Sequence, residues 1–219
     1  MYKKKNIEFG FLFILGMLSS LSLPPFNYLV INFFTFSLFF LFLIKKSALH
    51  NNTKSYFFYG WFFGFGYFIT NLYWISISLT FDESFKFLIP ITIFLIPAFL
   101  SIFYGLISYF FIIFKSKKLI SSFFTFVLCF SILEFVRGSI FTGFPWNLIA
   151  YSFSSQLEIL SITTIIGTYG FNLFCISLFT SPALFILRKN KINLSIPIFF
   201  IVSLILFYNY GTLYKKKFN

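Results

Sequence analysis

Residues 87–114 read FLIPITIFLIPAFLSIFYGLISYFFIIF, an unbroken run without an acid or a base. A helix rises 1.5 Å per residue, so about 20 such residues cross the roughly 30 Å hydrocarbon core of a bilayer. The run therefore predicts a transmembrane helix. Lys86 before it and Lys115, Lys117 and Lys118 after it mark where the apolar stretch stops.

The rest of the chain repeats that pattern. Its 219 residues are 59% hydrophobic and 10% charged, with a mean hydropathy of +0.91, whereas roughly a quarter of the residues in a soluble domain carry charge. Seven segments are long enough to cross: residues 8–23, 27–44, 56–79, 87–114, 119–137, 156–187 and 192–210. The sixth is overlong, and either tilts or begins along the interface. No connection between them is long enough for a soluble domain. The fold expected is an all-α, polytopic transmembrane bundle of about seven helices occupying residues 1–219. The 41 Phe residues are expected to fill lipid-facing positions. The opening MYKKKNIEFGFLFILGMLSSLSL has the layout of a secretory signal, but Glu8 and the six hydrophobic segments that follow favour an uncleaved first helix.

A net charge of +12 could point to nucleic acid, yet the basic residues stand in short clusters between apolar runs. Lys3, Lys4 and Lys5, then Lys45, Lys46 and Lys54, then Lys115, Lys117 and Lys118, then Arg188, Lys189 and Lys191 all fall on one face after seven crossings, twelve of seventeen basic residues. The positive-inside rule makes that face cytoplasmic, the N-terminus with it, and no nucleic-acid partner is expected. The tail, Lys215, Lys216 and Lys217, breaks the rule. Either the last segment fails to cross, or charge so late in the chain no longer sets orientation.

In GWFFGFG, Gly60 and Gly64 lie on one helical face, a spacing that lets two helices approach closely. Trp74 falls where tryptophan anchors at headgroup level. Cys129 and Cys175 lie inside apolar segments and read as small hydrophobes, and His50 reads as solvated loop, so no metal or cofactor is expected. The richest stretch is LEFVRGSIFTGFPWN, residues 133–147. Glu134 and Arg137 are three apart and point to one side of a helix. A charge unpaired near lipid costs at least a few kcal/mol, so the two form either a bridge that locks helices or a polar lining for a charged headgroup. Gly138, Gly143 and Pro145 then break the helix, and irregular backbone at membrane depth survives only inside protein or along a wet cavity. Phe144 and Trp146 would flank that break as rigid surfaces suited to an acyl chain. Glu134, Arg137, Gly143, Phe144, Pro145 and Trp146 are thus the candidate pocket, on the outer side, and phospholipid the candidate ligand.

The longer stretch LEFVRGSIFTGFPWNLIAYSF closely resembles apolipoprotein N-acyltransferases, with their Glu-Phe/Trp-Leu-Arg-Gly, Thr-Gly-Phe-Pro-Trp and Tyr-Ser pattern. Weaker likenesses follow in order: Ser22 to Asn27, Gly60 to Ser78, and Ile166 to Phe174 with Gly170 and Asn172. The resemblance implies a bacterial inner-membrane protein. It also implies acyl transfer from a phospholipid, through a cysteine thioester, to the amine of a lipoprotein's diacylglyceryl-cysteine. Members of the family carry a nitrilase-like domain with a Glu-Lys-Cys triad after the seventh helix, about where this sequence stops. Neither Cys129 nor Cys175 matches that nucleophile, and Glu134 does not match the family base. The resemblance therefore implies the membrane part of such an enzyme, not catalytic alone, with a separately encoded nitrilase-like domain as a candidate partner. The alternative is a non-catalytic lipid- or lipoprotein-binding membrane protein. A transporter is weaker, since only Glu134, Arg137 and Glu158 supply intramembrane charge.

Overall fold

A computed structural model describes residues 2–48, 52–140, 143, 145–187 and 192–218. Among these residues, ten α-helices follow in order: α1 Tyr2–Ser20, α2 Val30–Ser47, α3 Thr53–Leu72, α4 Ile75–Ser78, α5 Ile89–Phe114, α6 Leu119–Ser139, α7 Leu157–Leu160, α8 Thr163–Thr180, α9 Pro182–Ile186 and α10 Ile192–Phe218. Single 3₁₀ segments cover Glu83–Leu88 and Ile149–Phe153. His50, Thr142 and Phe144 lie outside the described residues.

The long helices occupy the seven expected segments, with differences that have physical causes. Among the described residues, five helical stretches are long and apolar enough to cross a membrane: Val30–Ser47, Glu83–Phe114, Leu119–Ser139, Thr163–Ile186 and Asn193–Lys216. The first segment falls short because α1 starts in lysines and carries Glu8. The third falls short because α3 is diluted by Tyr, Trp and Gly. Residues 56–79 do not form one helix, for the chain turns at Tyr73 and Trp74 before the single turn of α4. The overlong sixth segment is divided into α7, α8 and α9, and Gly167 kinks α8 with φ 70° and ψ 168°, a conformation that suits glycine.

Helix α3, low in hydropathy for a long apolar helix, packs between α1 and α5. Gly66 meets the carbonyl of Phe13, and Gly16 meets the carbonyl of Phe63, so any Cβ at either would collide with the other backbone. On the other face, Gly60 seats against the Tyr104 carbonyl and Ser108, and Gly64 against Tyr104 Cβ. Without a hydrophobic drive between helices in lipid, such close backbone approach supplies packing energy. Phenylalanine fills this interior as much as the periphery, contrary to the expectation from composition. Phe36, Phe39, Phe40, Phe63, Phe126 and Phe130 are fully buried, with Phe39 and Phe63 stacked at 4.2 Å between ring centres.

Polar side chains organise the two ends. At the lysine-rich end, Lys46 pairs with Glu8, which also accepts from Tyr59 Oη at 3.0 Å. At the opposite end, buried Asn32 ties the turn after α1: its Oδ1 accepts from Ser19 Oγ (2.8 Å) and its Nδ2 donates to Ser22 Oγ (2.7 Å). Ser154 Oγ donates to Asn27 Oδ1 at 3.2 Å, and Lys215 Nζ reaches Glu158 Oε1 at 3.1 Å. Gly211 lies directly against the Glu158 carbonyl. The last helix thus packs on α7 at this end and on α9 toward the other, and by length and composition it is apolar enough to cross.

Candidate functional site

The far end of α6 carries the acid and base. Arg137 Nη2 donates to Glu134 Oε2 at 2.6 Å, and both residues are 1% exposed. Their three-residue spacing makes the pair intrahelical, so it leaves the second guanidinium nitrogen for another partner. Nη1 donates to the backbone carbonyl of Trp146 at 3.1 Å. The guanidinium also lies 5.3 Å from the centre of the Phe68 ring, within range of a cation–π attraction.

Helix α6 stops at Ser139, after which Ile140 is extended. Gly143 (φ 81°) and Asn147 (φ 59°) then occupy the left-handed region. A side chain at Gly143 would be strained there and would press a Cβ to 2.6 Å from the Gly138 carbonyl. Gly138 in turn sits beneath the Tyr169 hydroxyl of α8. The chain can therefore fold back against the helix it has just left. Its freed carbonyls need donors, because none comes from lipid. Arg137 supplies one at Trp146, and Tyr67 Oη of α3 supplies the next at Asn147, 2.8 Å away. From the other side, Asn172 Oδ1 on α8 accepts from Ala150 N at 2.9 Å and fixes the start of the following 3₁₀ segment.

The two faces of this break differ. Inward lies the enclosed ion pair, with Tyr67 and Tyr104 stacked at 5.8 Å beside it. Outward lies an aromatic surface, where Trp146 and Trp74 stack at 5.4 Å with half of Trp146 exposed. Pro145 is half-buried between these faces. The glycine seam belongs to the same construction, because the residue that Gly60 and Gly64 admit is Tyr104.

The sequence-level site residues that are described, Glu134, Arg137, Gly143, Pro145 and Trp146, are brought together around one turn of chain. Gly60 and Gly64 are not in that turn; they lie on the α3–α5 seam and adjoin the site only through Tyr104. Reading the sequence missed Tyr67, Phe68, Tyr104 and Tyr169, and it named Asn172 only within a family likeness, without a place at the site. Tyr67 and Phe68 directly follow the GFG run, so a tyrosine one turn beyond a packing glycine was the available signal. Cys175 is buried, and Cys129 is half-buried against Phe110, Leu128 and Leu133. Among the described residues, no three of His, Cys, Asp and Glu gather where a metal could bind.

Fold and site together define an all-helical membrane domain in which a buried ion pair anchors an irregular segment at one end. Residues 15–181 match the sequence profile of the apolipoprotein N-acyltransferase N-terminal domain. The chain belongs to the apolipoprotein N-acyltransferase family. It is 34% identical over 175 residues to the apolipoprotein N-acyltransferase of Rhodopseudomonas palustris, covering 78% of this chain and 32% of that protein. The Rhizobium etli relative is 34% identical over 182 residues (80% and 34%), and that of Rickettsia typhi 34% over 200 residues (90% and 37%). The chain spans about a third of the length of these curated relatives.

Proposed function

We propose that residues 1–219 form the membrane part of an apolipoprotein N-acyltransferase, receiving lipid-shaped substrates at the outer monolayer of a bacterial inner membrane. The acyl group would pass from a phospholipid to the N-terminal diacylglyceryl-cysteine of a lipoprotein. The thiolate chemistry would reside in a nitrilase-like part that works with this chain. One observation carries the reading: Trp146 projects beside Trp74 from a backbone held by Arg137 and Tyr67. A rigid, half-exposed aromatic surface at the end of a span suits the glycerol and upper acyl region of a lipid, because tryptophan combines apolar area with a polar tip. The lysine clusters at the opposite end favour a cytoplasmic N-terminus, with this site facing outward.

Acyl transfer through a cysteine also needs an activated thiolate beside a base. The described surroundings of Cys129 and Cys175, apolar in both cases, do not favour that role. The test is complementation of an N-acyltransferase-depleted strain by this chain, alone and together with a nitrilase-like domain. Acylation is expected only with both. Full activity from the chain alone would overturn the division of labour. Crosslinking to diacylated lipoprotein without acylation in either setting would favour a non-catalytic binding protein.

A further inference from the structure

At the lysine-rich end, two grooves flank the first turns of α3. One, of about 470 Å³, lies between α1 and α3, floored by Phe9, Phe58 and Phe62 and rimmed by Lys5, Lys54 and Ser55. The other, of about 310 Å³, lies between α3 and α5 and is formed by Lys54, Phe57, Phe58, Leu106 and Tyr109. Both grooves share Lys54 and Phe58, so the half-exposed Phe58 ring stands as a ridge between two apolar channels that open beneath one ammonium group. Phe9 and Phe62 stack at 4.6 Å and make the wider floor continuous.

The charge at the rim is uncompensated. Among the described residues, Lys5 and Lys54 form no ion pair. Glu8, the acid on α1, is already engaged by Lys46 and Tyr59. Two cations above a divided apolar floor match an amphiphile with one anionic head and two tails. A free anion would leave both channels unused, and a single-chain amphiphile would leave one.

We propose that a diacyl anionic phospholipid of the monolayer facing the lysine-rich end sits astride α3. Its phosphate lies between Lys5 and Lys54, with Ser55 as a further donor, and one acyl chain runs along each side of Phe58. This site is at the opposite end of the bundle from Trp146, and it stands whether or not the acyl-transfer reading does. Its occupant is a bound structural lipid rather than a substrate.

The test uses the full chain reconstituted in phosphatidylcholine vesicles containing chain-spin-labelled phosphatidylglycerol or, in parallel, spin-labelled phosphatidylcholine. The motionally restricted fraction reports bound lipid. Phosphatidylglycerol is expected to be restricted in excess over phosphatidylcholine. The preference should fall about fivefold for each lysine removed in Lys5→Gln, Lys54→Gln and their double variant, and should survive in Lys115→Gln/Lys117→Gln, which removes the same charge as that double variant from the same end. Phe58→Ala should reduce the restricted fraction while the melting temperature is kept. Equal loss in the Lys115/Lys117 variant would reduce the effect to general surface charge and overturn the site. So would displacement of the lipid by excess inorganic phosphate, or no preference in the unaltered protein.

Discussion

Arg137 donates through Nη1 to the backbone carbonyl of Trp146, nine positions later in the chain and 3.1 Å away, while Nη2 stays on Glu134. One side chain thus neutralises a buried acid and terminates the irregular segment after α6. A lysine would do only the first, because its ammonium lacks the planar fork that reaches two acceptors at fixed angles.

Arg137→Gln should therefore be costlier than its partner's loss alone would suggest. Removing one member of a buried pair typically costs about 3–5 kcal/mol, since the other is left charged and enclosed. Glu134→Leu/Arg137→Met, which removes both charges, should recover much of that. It should remain below the unaltered protein by about 1.5–3 kcal/mol, the worth of a charged hydrogen bond to the Trp146 carbonyl. Unfolding midpoints in mixed micelles measure both. Full recovery in the double variant would mean that the carbonyl contact contributes nothing.

The glycine seams give a sharper contrast. Gly16→Ala and Gly66→Ala each place a methyl group into the backbone of the facing helix, whereas a Cβ at Gly10 meets nothing within 4 Å. The first two should cost about 1–3 kcal/mol by forcing α1 and α3 apart. Gly10→Ala should be neutral or slightly stabilising, because alanine is the better helix former. Thermal denaturation followed by size-exclusion chromatography separates these outcomes, and equal melting temperatures for all three would refute the close approach.

These two sites also mark how far the sequence alone could be read. Glu134 and Arg137 were legible because charge is rare in the spans, and a helix puts residues three apart on one side. The partner that matters most, the Trp146 carbonyl, was not, because main-chain acceptors have no signature in the side-chain pattern. Gly60 and Gly64 stood out by their spacing within one helix. The reciprocal pair Gly16 and Gly66 did not, because its two halves lie 50 positions apart and only tertiary packing joins them. Apolarity located the spans well but ranked them poorly. Helix α3 packs tightly between α1 and α5 because its tyrosines and glycines face those helices, and the same residues lower its hydropathy. The breaks at Tyr73 and Gly167 fell inside apolar runs, where no charge announces a turn.

The Trp146–Trp74 stack separates stability from function. Both rings are substantially exposed, so Trp146→Ala should lower stability by only about 0.5–1.5 kcal/mol, the scale of an aromatic pair. If the stack receives lipid and a nitrilase-like part completes the enzyme as proposed, acyl transfer by the two together should fall at least about tenfold, the factor that 1.4 kcal/mol of lost substrate interaction would give. Trp146→Phe should restore most of it. A loss of activity that only tracks a loss of folded protein would remove the aromatic surface from the mechanism.

The contact between Lys215 and Glu158 tests the path of α10 and carries a pH dependence. The Glu158 carboxyl is held below its ordinary value first by a hydrogen bond from its own backbone amide and then by Lys215. A depressed folded-state pKa means that the associated stabilisation is present above the ordinary carboxylate range and is lost as pH falls through the lowered value. The pair is solvent-accessible and screened by salt, so the effect is local to the tail rather than global. A spin label at Lys216→Cys should be less mobile at neutral pH than in acid, and Glu158→Gln should show the mobile spectrum at both. Labelling from opposite faces of oriented vesicles should place Lys216→Cys on the same side as Trp146→Cys, and Lys5→Cys on the other. A tail found on the side of Lys5 would mean that α10 does not traverse the bilayer beside α7, and the pH effect would then vanish with the contact.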